Sequence, residues 1–404
     1  MQSSRSKVLH VLFGKSIIEY CFEAVRGSRI TKILIVAGKN HDDLKVSFGK
    51  TAKIIFQKER LGTGHAVMCT SLELKRFQGD LLVAAGDAPL ILTRTLERFC
   101  REHSTSGAYA SVLTAELDEP QGYGRILRDG RGHVLGIRED LDASPLEKKI
   151  REVNSGIYLF RAKELFQALK EIRPVNRKKE YYLTDVVEVF CRRGLKVQAY
   201  PLAQGEEILG INTRKDLVKA AKEIWKRNIE FQLERGVTVV SPDTTYIESD
   251  VTIGRDTVVH PFSYVEKDVV IGKNCQIGPF CKIRSGSRIK DGAVIGSFVE
   301  LVRSSVGENS MVKHLAYLGD AELGSRVNIG AGTVTANYDG RKKHKTRIGN
   351  RAFVGCNTVL IAPVSVGEGA RTGAGSVIPK GKNVPAGTTV IGVPARVLKK
   401  RNRA

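Results

Sequence analysis

Acidic residues are the minority charge in this sequence. Forty-three Asp and Glu stand against 65 Lys and Arg, for a formal net charge of +22 at pH 7. A field of that sign favours anionic partners. Aromatics are also scarce, at 6% with a single tryptophan. The basic residues are spread along the chain, form no arm interleaved with aromatics and lie in no nucleic-acid-binding motif, so nucleic acid is not the expected partner. A nucleotide, CoA or a sugar phosphate accounts for the charge. So does a solvated basic surface ending in the KKRNRA tail. No run of about 18 apolar residues occurs, which excludes a helical membrane span. The opening MQSSRSKVLH has no apolar h-region, so no secretory signal is expected. There is no CxxC pair. Seven scattered cysteines (Cys21, Cys69, Cys100, Cys191, Cys275, Cys281, Cys356) read as reduced thiols of a cytoplasmic protein, neither a disulfide frame nor a zinc site.

What is present divides the chain in two. At 404 residues, two domains are expected, since single cores stop growing beyond about 250–300 residues. From residue 7 to about 212, short apolar runs alternate with helix-like segments. Lys32–Lys39, Lys53–Gln57, Leu81–Gly86 and Ala110–Leu117 read as strands; Leu61–Leu74 and Thr93–His103 read as helices. That alternation predicts a layered α/β domain over 1–212. Residues 213–236 carry apolar positions at helical spacing and stop at Gly236, predicting a linker helix.

Over 237–404 the helical period disappears and glycines follow aliphatic residues at steps of six. Gly254, Gly272, Gly278 and Gly296 share one register, Gly307 and Gly319 a second, and Gly324 and Gly330 a third. Gly349, Gly355, Gly367 and Gly373 again share one. A hexapeptide repeat specifies a parallel β-helix, with aliphatic residues inward on three flat faces. The glycines are expected at tight corners, where they accept positive φ. Residues 331–348 (AGTVTANYDGRKKHKTRI) interrupt the repeat with Asn337, Tyr338 and a basic set, Arg341, Lys342, Lys343 and Lys345. An excursion from a regular solenoid is expected to bind ligand; a solvated charged loop is the alternative.

Several side chains are candidates for chemistry. His314, in KHLAYLGDAELG, is the candidate general base, because imidazole accepts a proton from an amine near neutral pH. A structural histidine is the bland alternative. Arg284, Tyr317, Asn337 and Lys343 offer donors for a phosphate and hydroxyls. Asn337 or a backbone amide can also stabilise an oxyanion. In the first half, Gln57–Ala66 is a Gly-rich turn opening a helix, suited to a base or phosphate. Asp87 ends an apolar strand in GDAPL, where it can hold Mg²⁺ against a triphosphate or simply cap a turn. Lys7 can neutralise a transferring phosphate, or be a fraying terminal lysine.

These motifs occur in one order: LGTGHA, GDAPL, GYGRI, VNSGIY, EYYLTD, GIN, HLAYLGDAELG and VNIGAGTVTANYDG. Over almost its whole length the chain resembles the bacterial bifunctional N-acetylglucosamine-1-phosphate uridyltransferase / glucosamine-1-phosphate acetyltransferase family. The resemblance implies a nucleotide-diphospho-sugar transferase-like (Rossmann-like) domain, a linker helix and a left-handed parallel β-helix. It implies acetyl transfer from acetyl-CoA to glucosamine-1-phosphate, then coupling of N-acetylglucosamine-1-phosphate to UTP with Mg²⁺. The product is UDP-N-acetylglucosamine for peptidoglycan and lipopolysaccharide. By the same resemblance, Lys7, Gln57, Gly62, Thr63, Gly124, Glu139, Asn154 and Asn212 bind the UDP-sugar, with Asp87 and Asn212 on the metal. His314 is the base; Arg284, Tyr317, Asn328 and Lys343 bind the acetyl acceptor; Ala331, Asn337, Tyr338, Cys356 and Ala374 contact acetyl-CoA. A cytoplasmic homotrimer is implied.

The chain departs from the family in several places. The family opens with a strand and a phosphate loop of the type LAAGxGTRM, whereas Met1 falls where that loop's last Met stands. The expectation is a sheet lacking its first strand, through a start assigned downstream. The alternative is an acetyltransferase with an inactive nucleotidyltransferase domain, and a third reading is a non-catalytic assembly protein. The family's sugar-phosphate lysine falls on Val302. Neighbouring Arg303 is expected to face the other way, as strand neighbours do. Cys356 replaces a serine.

Overall fold

The computed structural model describes residues 1, 3, 5–38 and 41–398; Lys39 and the KKRNRA tail lie outside them. The chain forms two compact units. The first comprises Met1–Val11 and Lys15–Ala220, the second Leu12–Gly14 and Ala221–Ala404.

The first unit is built on a mixed sheet. Strands run in the order Val197–Pro201, Ala110–Glu116, Glu152–Arg161, Arg125–Arg128, Val134–Arg138, and Asp80–Val83 also pairs with Glu152–Arg161. Alternation of side chains feeds two cores. Val112, Tyr158 and Phe160 pack with Leu165, Val186 and Phe190. Their neighbours Leu113, Ile157 and Leu159 pack with Leu96, Phe99 and Ile208. Helices Ala162–Ala168 and Thr184–Arg192 contribute to the first core and helix Thr93–Ser106 to the second. This is the sandwich a period of two produces when both sheet faces are covered. Strands Leu34–Ala37 and Lys53–Phe56 pair only with each other, in parallel, and no described strand joins them to Asp80–Val83. Among the described residues the two sets therefore form separate sheets. One expected helix is shorter than its apolar pattern: Leu61–Leu74 is helical only over Thr63–Met68. Gly62 at φ +110° lies outside helical space. Beyond Met68, the Thr70 hydroxyl donates to the Val67 carbonyl and turns follow.

The second unit is a left-handed parallel β-helix of three faces. Fully buried aliphatic residues recur every sixth position from Ile247 through Ile253, Val259, Val265, Ile271, Ile277, Ile283, Ile289 and Ile295 to Leu301. Each face stacks strands in register, as in Tyr264↔Lys282↔Glu300↔Tyr317. The start of the stack is covered by helix Arg214–Glu234. Trp225, Asn228 and Gln232, on one side of that helix, donate to the carbonyls of Thr245, Ile247 and Val251. Carbonyls of the exposed first coil are thereby satisfied, an edge that otherwise invites pairing with another chain. At the other end an antiparallel hairpin, Thr389–Gly392 with Ala395–Val397, closes one face.

The phased glycines do a different job from the one expected. Among them only Gly278 has positive φ. The left-handed corner positions are instead held largely by Asp250, Asp256, Phe262, Asp268, Asn274, Phe280, Phe298, Arg303 and others. A Cβ on Gly254, Gly296, Gly307 or Gly355 would sit 2.7, 2.1, 2.3 or 2.5 Å from backbone of the next coil. These glycines exist so that successive coils can touch.

Candidate functional site

In the β-helix, the register lines the candidate residues up in two columns. Strand Met311–His314 pairs Val312 with Ile329, which pairs with Val354, which pairs with Thr372. Two residues further on, His314, Ala331, Cys356 and Ala374 therefore stand at one corner in four successive coils. The coil spacing is about 4.8 Å. His314 is exposed and its ring makes no hydrogen bond among the described residues. Cys356 is exposed, with the small side chain of Ala331 between it and His314 and that of Ala374 on its far side. The chain then turns through Leu315, at φ +47°, onto the next face.

That face carries Tyr317, and its far corner carries the second column. Gly319 pairs with Ala336 through the register of neighbouring strands, so Asp320 meets Asn337. Asn337 Nδ2 donates to Asp320 Oδ2 at 2.5 Å. A Cβ on Gly319 would lie 2.6 Å from Asn337 Nδ2 and 2.8 Å from Tyr317 Oη. Glycine is required there for Tyr317 and Asn337 to meet over the face. The excursion leaves from this corner as an ordered hairpin in which Tyr338 bridges Lys343. Asp339 organises it, accepting from the amides of Arg341 and Lys342 and pairing with His344 at 2.6 Å. Those bonds hold the Asp339 carboxyl far below its usual range. Lys343 acts on Asp320 electrostatically. Arg284 lies on the same face, between Glu300 at 3.3 Å and Glu266 at 3.7 Å. Asn328 stands on the preceding face, paired with Met311 and Phe353.

The structure thus brings Tyr317, Asn337 and Lys343 together. It brings His314, Ala331, Cys356 and Ala374 together. The two groups stand at opposite corners of one face within a single chain, separated by the strand Tyr317–Gly319. Val302 is buried. Arg303 corrects an expectation: it is not a strand residue facing away from Val302 but a corner residue at φ +49°, aimed at Asp320.

In the first unit, Lys7 is anchored rather than frayed. Its ammonium donates to Asp87 Oδ2 at 2.5 Å and to Asn212 Oδ1 at 2.8 Å. Both oxygens thus converge on one cation. A hard divalent ion completed by phosphate and water fits that donor pair. Among the described residues no group of three or more His, Cys, Asp and Glu is arranged for a metal. Asn212 is held by Asp216, which accepts its amide at 3.0 Å. The Ile211 amide donates to the Asp87 carbonyl. The Gly-rich turn folds against EYYLTD: the Thr63 hydroxyl accepts from the Leu183 amide, and Gln57 donates to the Gly62 carbonyl. A Cβ on Gly62 would lie 2.5 Å from the Tyr181 carbonyl. Glu139 accepts from Thr184 at 3.0 Å, and burial pushes its carboxyl pKa up. Glu139 lines a cavity of about 380 Å³ with Asp142, Tyr182 and Asp185. Asn154 donates to Tyr158 at 2.6 Å, and its amide bonds the Gly124 carbonyl.

Sequence reasoning missed Tyr123, Asp216, Asp320 and Asp339. Tyr123 bonds the Gly210 backbone and lies in the field of Asp87. Thr213 and Asp216 form a legible helix-capping pair, Thr-x-x-Asp. Nothing in the pattern distinguished Asp320 from the other corner acids.

A mixed α/β sheet with Asp87 and Asn212 converging on the Lys7 ammonium, followed by a left-handed β-helix with an exposed histidine at one corner, defines a nucleotidyltransferase joined to a hexapeptide acyltransferase. Family models agree: "Nucleotidyl transferase" matches residues 2–225, and "Bacterial transferase hexapeptide (six repeats)" matches 268–303 and 345–380. The chain is 44% identical over 397 residues to the bifunctional protein GlmU of Pelotomaculum thermopropionicum, covering 90% of this chain and 87% of that one. It is 39% identical to bifunctional GlmU proteins of Acetivibrio thermocellus, over 94% of this chain and 89% of the relative, and of Geobacillus thermodenitrificans, over 100% and 94%. The chain belongs to the bifunctional GlmU family.

Proposed function

We propose that the chain carries out two successive transfers ending in UDP-N-acetylglucosamine for the cell envelope. On the β-helix, the amine of glucosamine-1-phosphate attacks the thioester carbonyl of acetyl-CoA. A C–N bond forms, the C–S bond breaks, and His314 takes the amine proton and passes it to the departing thiolate. Arg284, Tyr317, Asn328 and Lys343 hold the acceptor's phosphate and hydroxyls. Ala331, Asn337, Tyr338, Cys356 and Ala374 line the acetyl-CoA side. The observation that supports this reading most is the column running from His314 through Ala331 and Cys356 to Ala374, a track of small residues leading away from the base.

In the α/β unit a phosphate oxygen of N-acetylglucosamine-1-phosphate attacks the α-phosphorus of UTP and pyrophosphate leaves. Lys7 neutralises charge on the transferring phosphate, and Gln57, Gly62, Thr63, Gly124, Glu139, Asn154 and Asn212 hold base and sugar. Asp87 and Asn212 would hold Mg²⁺, which screens the triphosphate when bound. The working division is 1–212 for this activity, 213–236 as linker and 237–404 for acetyl transfer. Because His314 and the basic hairpin stand at opposite corners, a second copy bringing its hairpin to the His314 corner completes the site. Flat faces suit a three-fold axis, so the working assembly is a homotrimer. No described helix is long and apolar enough to cross a membrane; the cytoplasm supplies both co-substrates.

Two assays on one preparation test this. CoA release is followed with glucosamine-1-phosphate, and pyrophosphate release with UTP and N-acetylglucosamine-1-phosphate. His314→Ala is expected to abolish the first alone and Asp87→Ala the second alone. Acetyl transfer that survives His314→Ala removes the proposed base.

A further inference from the structure

Three corner residues in successive coils, Arg303, Asp320 and Asn337, form a continuous chain of hydrogen bonds. Arg303 grips Asp320 with both edges of its fork, Nε to Oδ1 at 2.7 Å and Nη2 to Oδ2 at 2.8 Å. Asp320 Oδ2 also accepts from Asn337 Nδ2 at 2.5 Å. The pairing shifts both groups: the Arg303 hydrogen bonds lower the Asp320 pKa, and Asp320 raises that of Arg303. Asn337 is buried, and the Asp320 side chain is only 14% exposed.

An ionised carboxylate only accepts, so of the two edges of the Asn337 amide only the NH₂ can face it. The amide oxygen is thereby turned the other way. An asparagine beside a group that both donates and accepts is free to flip; beside a locked carboxylate it is not. The carboxylate is locked because a planar fork holds both of its oxygens, which a lysine ammonium does not do. Gly319 leaves the room for this, since any Cβ there would strike Asn337 Nδ2.

We propose that Arg303 is a positioning residue for acetyl transfer, acting through Asp320 to fix the orientation of the Asn337 amide beside Tyr317. This rests on the acetyl-transfer reading of that corner. Arg303 itself need not touch substrate, and its guanidinium is spent on Asp320.

The test uses the full chain and compares Arg303→Ala, Arg303→Lys, Asp320→Asn and the double variant Arg303→Ala/Asp320→Asn. Expected for Arg303→Ala is a fall in acetyl-transfer kcat of about 10- to 100-fold, the scale of a small misplacement near reacting atoms. Its Tm should fall, because a nearly buried carboxylate loses its main partner, while its uridylyl transfer should stay at the wild-type value. Arg303→Lys should recover only part of the loss, because it restores charge but not the fork. Asp320→Asn should be at least as damaging as Arg303→Ala, and the double variant no worse than Asp320→Asn alone. Losses that multiply in the double variant overturn the relay. So does full rescue by lysine with the defect confined to KM of the acceptor, which marks Arg303 as a direct phosphate contact. Wild-type kcat in Arg303→Ala also overturns it. Wild-type protein that lacks acetyl transfer refutes the functional reading instead. The relay is then read from the Asn337 side-chain amide by ¹⁵N NMR, whose Nδ2 resonance must move in Arg303→Ala; an unmoved resonance refutes it.

Discussion

If the phased glycines serve close approach between coils and not left-handed corners, two Gly→Ala substitutions must behave oppositely to what backbone angle alone predicts. Gly307 does not have positive φ, but a Cβ there lies 2.3 Å from the Gly324 oxygen and 2.4 Å from its carbonyl carbon. Apolar contact needs about 3.5 Å, so the coils must part by about 1 Å at that point. That stretch removes hydrogen bonds at the contact. One at risk is from the Ser310 hydroxyl to the same Gly324 oxygen, at 2.8 Å. Overpacking costs about 1–3 kcal/mol and the lost hydrogen bond about 1 kcal/mol, for a total of about 2–4 kcal/mol. Gly369 is the converse: φ is +63° and nothing lies within 4 Å of a Cβ. Alanine there costs about 1–2 kcal/mol in conformation and recovers about 0.4–1 kcal/mol in the unfolded chain, for a net of about 1 kcal/mol. Urea unfolding followed by far-UV circular dichroism and by Trp225 fluorescence measures both. Trp225 is the only tryptophan and stacks on Tyr246 at 5.1 Å, so it reports on the β-helix side of the molecule. Coupling between neighbouring coils spreads local damage to that end. A larger loss in Gly369→Ala than in Gly307→Ala refutes the close-approach argument.

Burial, reinforced by Glu188 and Glu139, pushes the Asp185 carboxyl up to about 6. The folded state then holds a proton the unfolded chain has released, so stability falls as pH rises from about 4 through about 6. Asp185→Asn should raise Tm at pH 7.5 and flatten that slope; an unchanged slope refutes the assignment. Cys356 is exposed while Cys21, Cys275 and Cys281 are buried, so a maleimide should label Cys356 first. Saturating acetyl-CoA should slow that labelling about 10-fold if the thiol lines its groove; equal rates place the ligand elsewhere. Lys7→Ala should lower uridylyl-transfer kcat about 100-fold while leaving acetyl transfer untouched, the loss expected for one preorganised charge at a transferring phosphate. Wild-type pyrophosphate release from Lys7→Ala would mean that its ammonium serves only to hold Asp87 in the free protein.

The solenoid was legible because its order is local. A six-residue repeat states which residues point inward, and Ile247 to Leu301 do so without a slip. The α/β alternation was legible for the same reason, each strand carrying its own pattern. The end of the helix opening at Thr63 was not, since it depends on a threonine hydroxyl competing for a backbone carbonyl. Asp320 and Asp339 were invisible for a related reason. Asp320 looks like the corner acids Asp256 or Asp268 until its neighbours one coil away are known, and Asp339 looks like any loop acid until the hairpin closes around it.

Composition and period by themselves determined two folding units, the coil repeat and the place of the excursion, whereas most of the candidate residues came from the family resemblance of the motifs. Only the tertiary structure decided which of these residues meet. Stacking coils in register set His314 above Ala331, Cys356 and Ala374, and set Arg303, Asp320 and Asn337 on another corner. Folding the first unit brought Lys7 to Asp87 and Asn212, residues 80 and 205 positions away. The physical reason is that a repeat encodes what each residue does within its own coil, whereas contacts between coils depend on the slips and insertions accumulated between them.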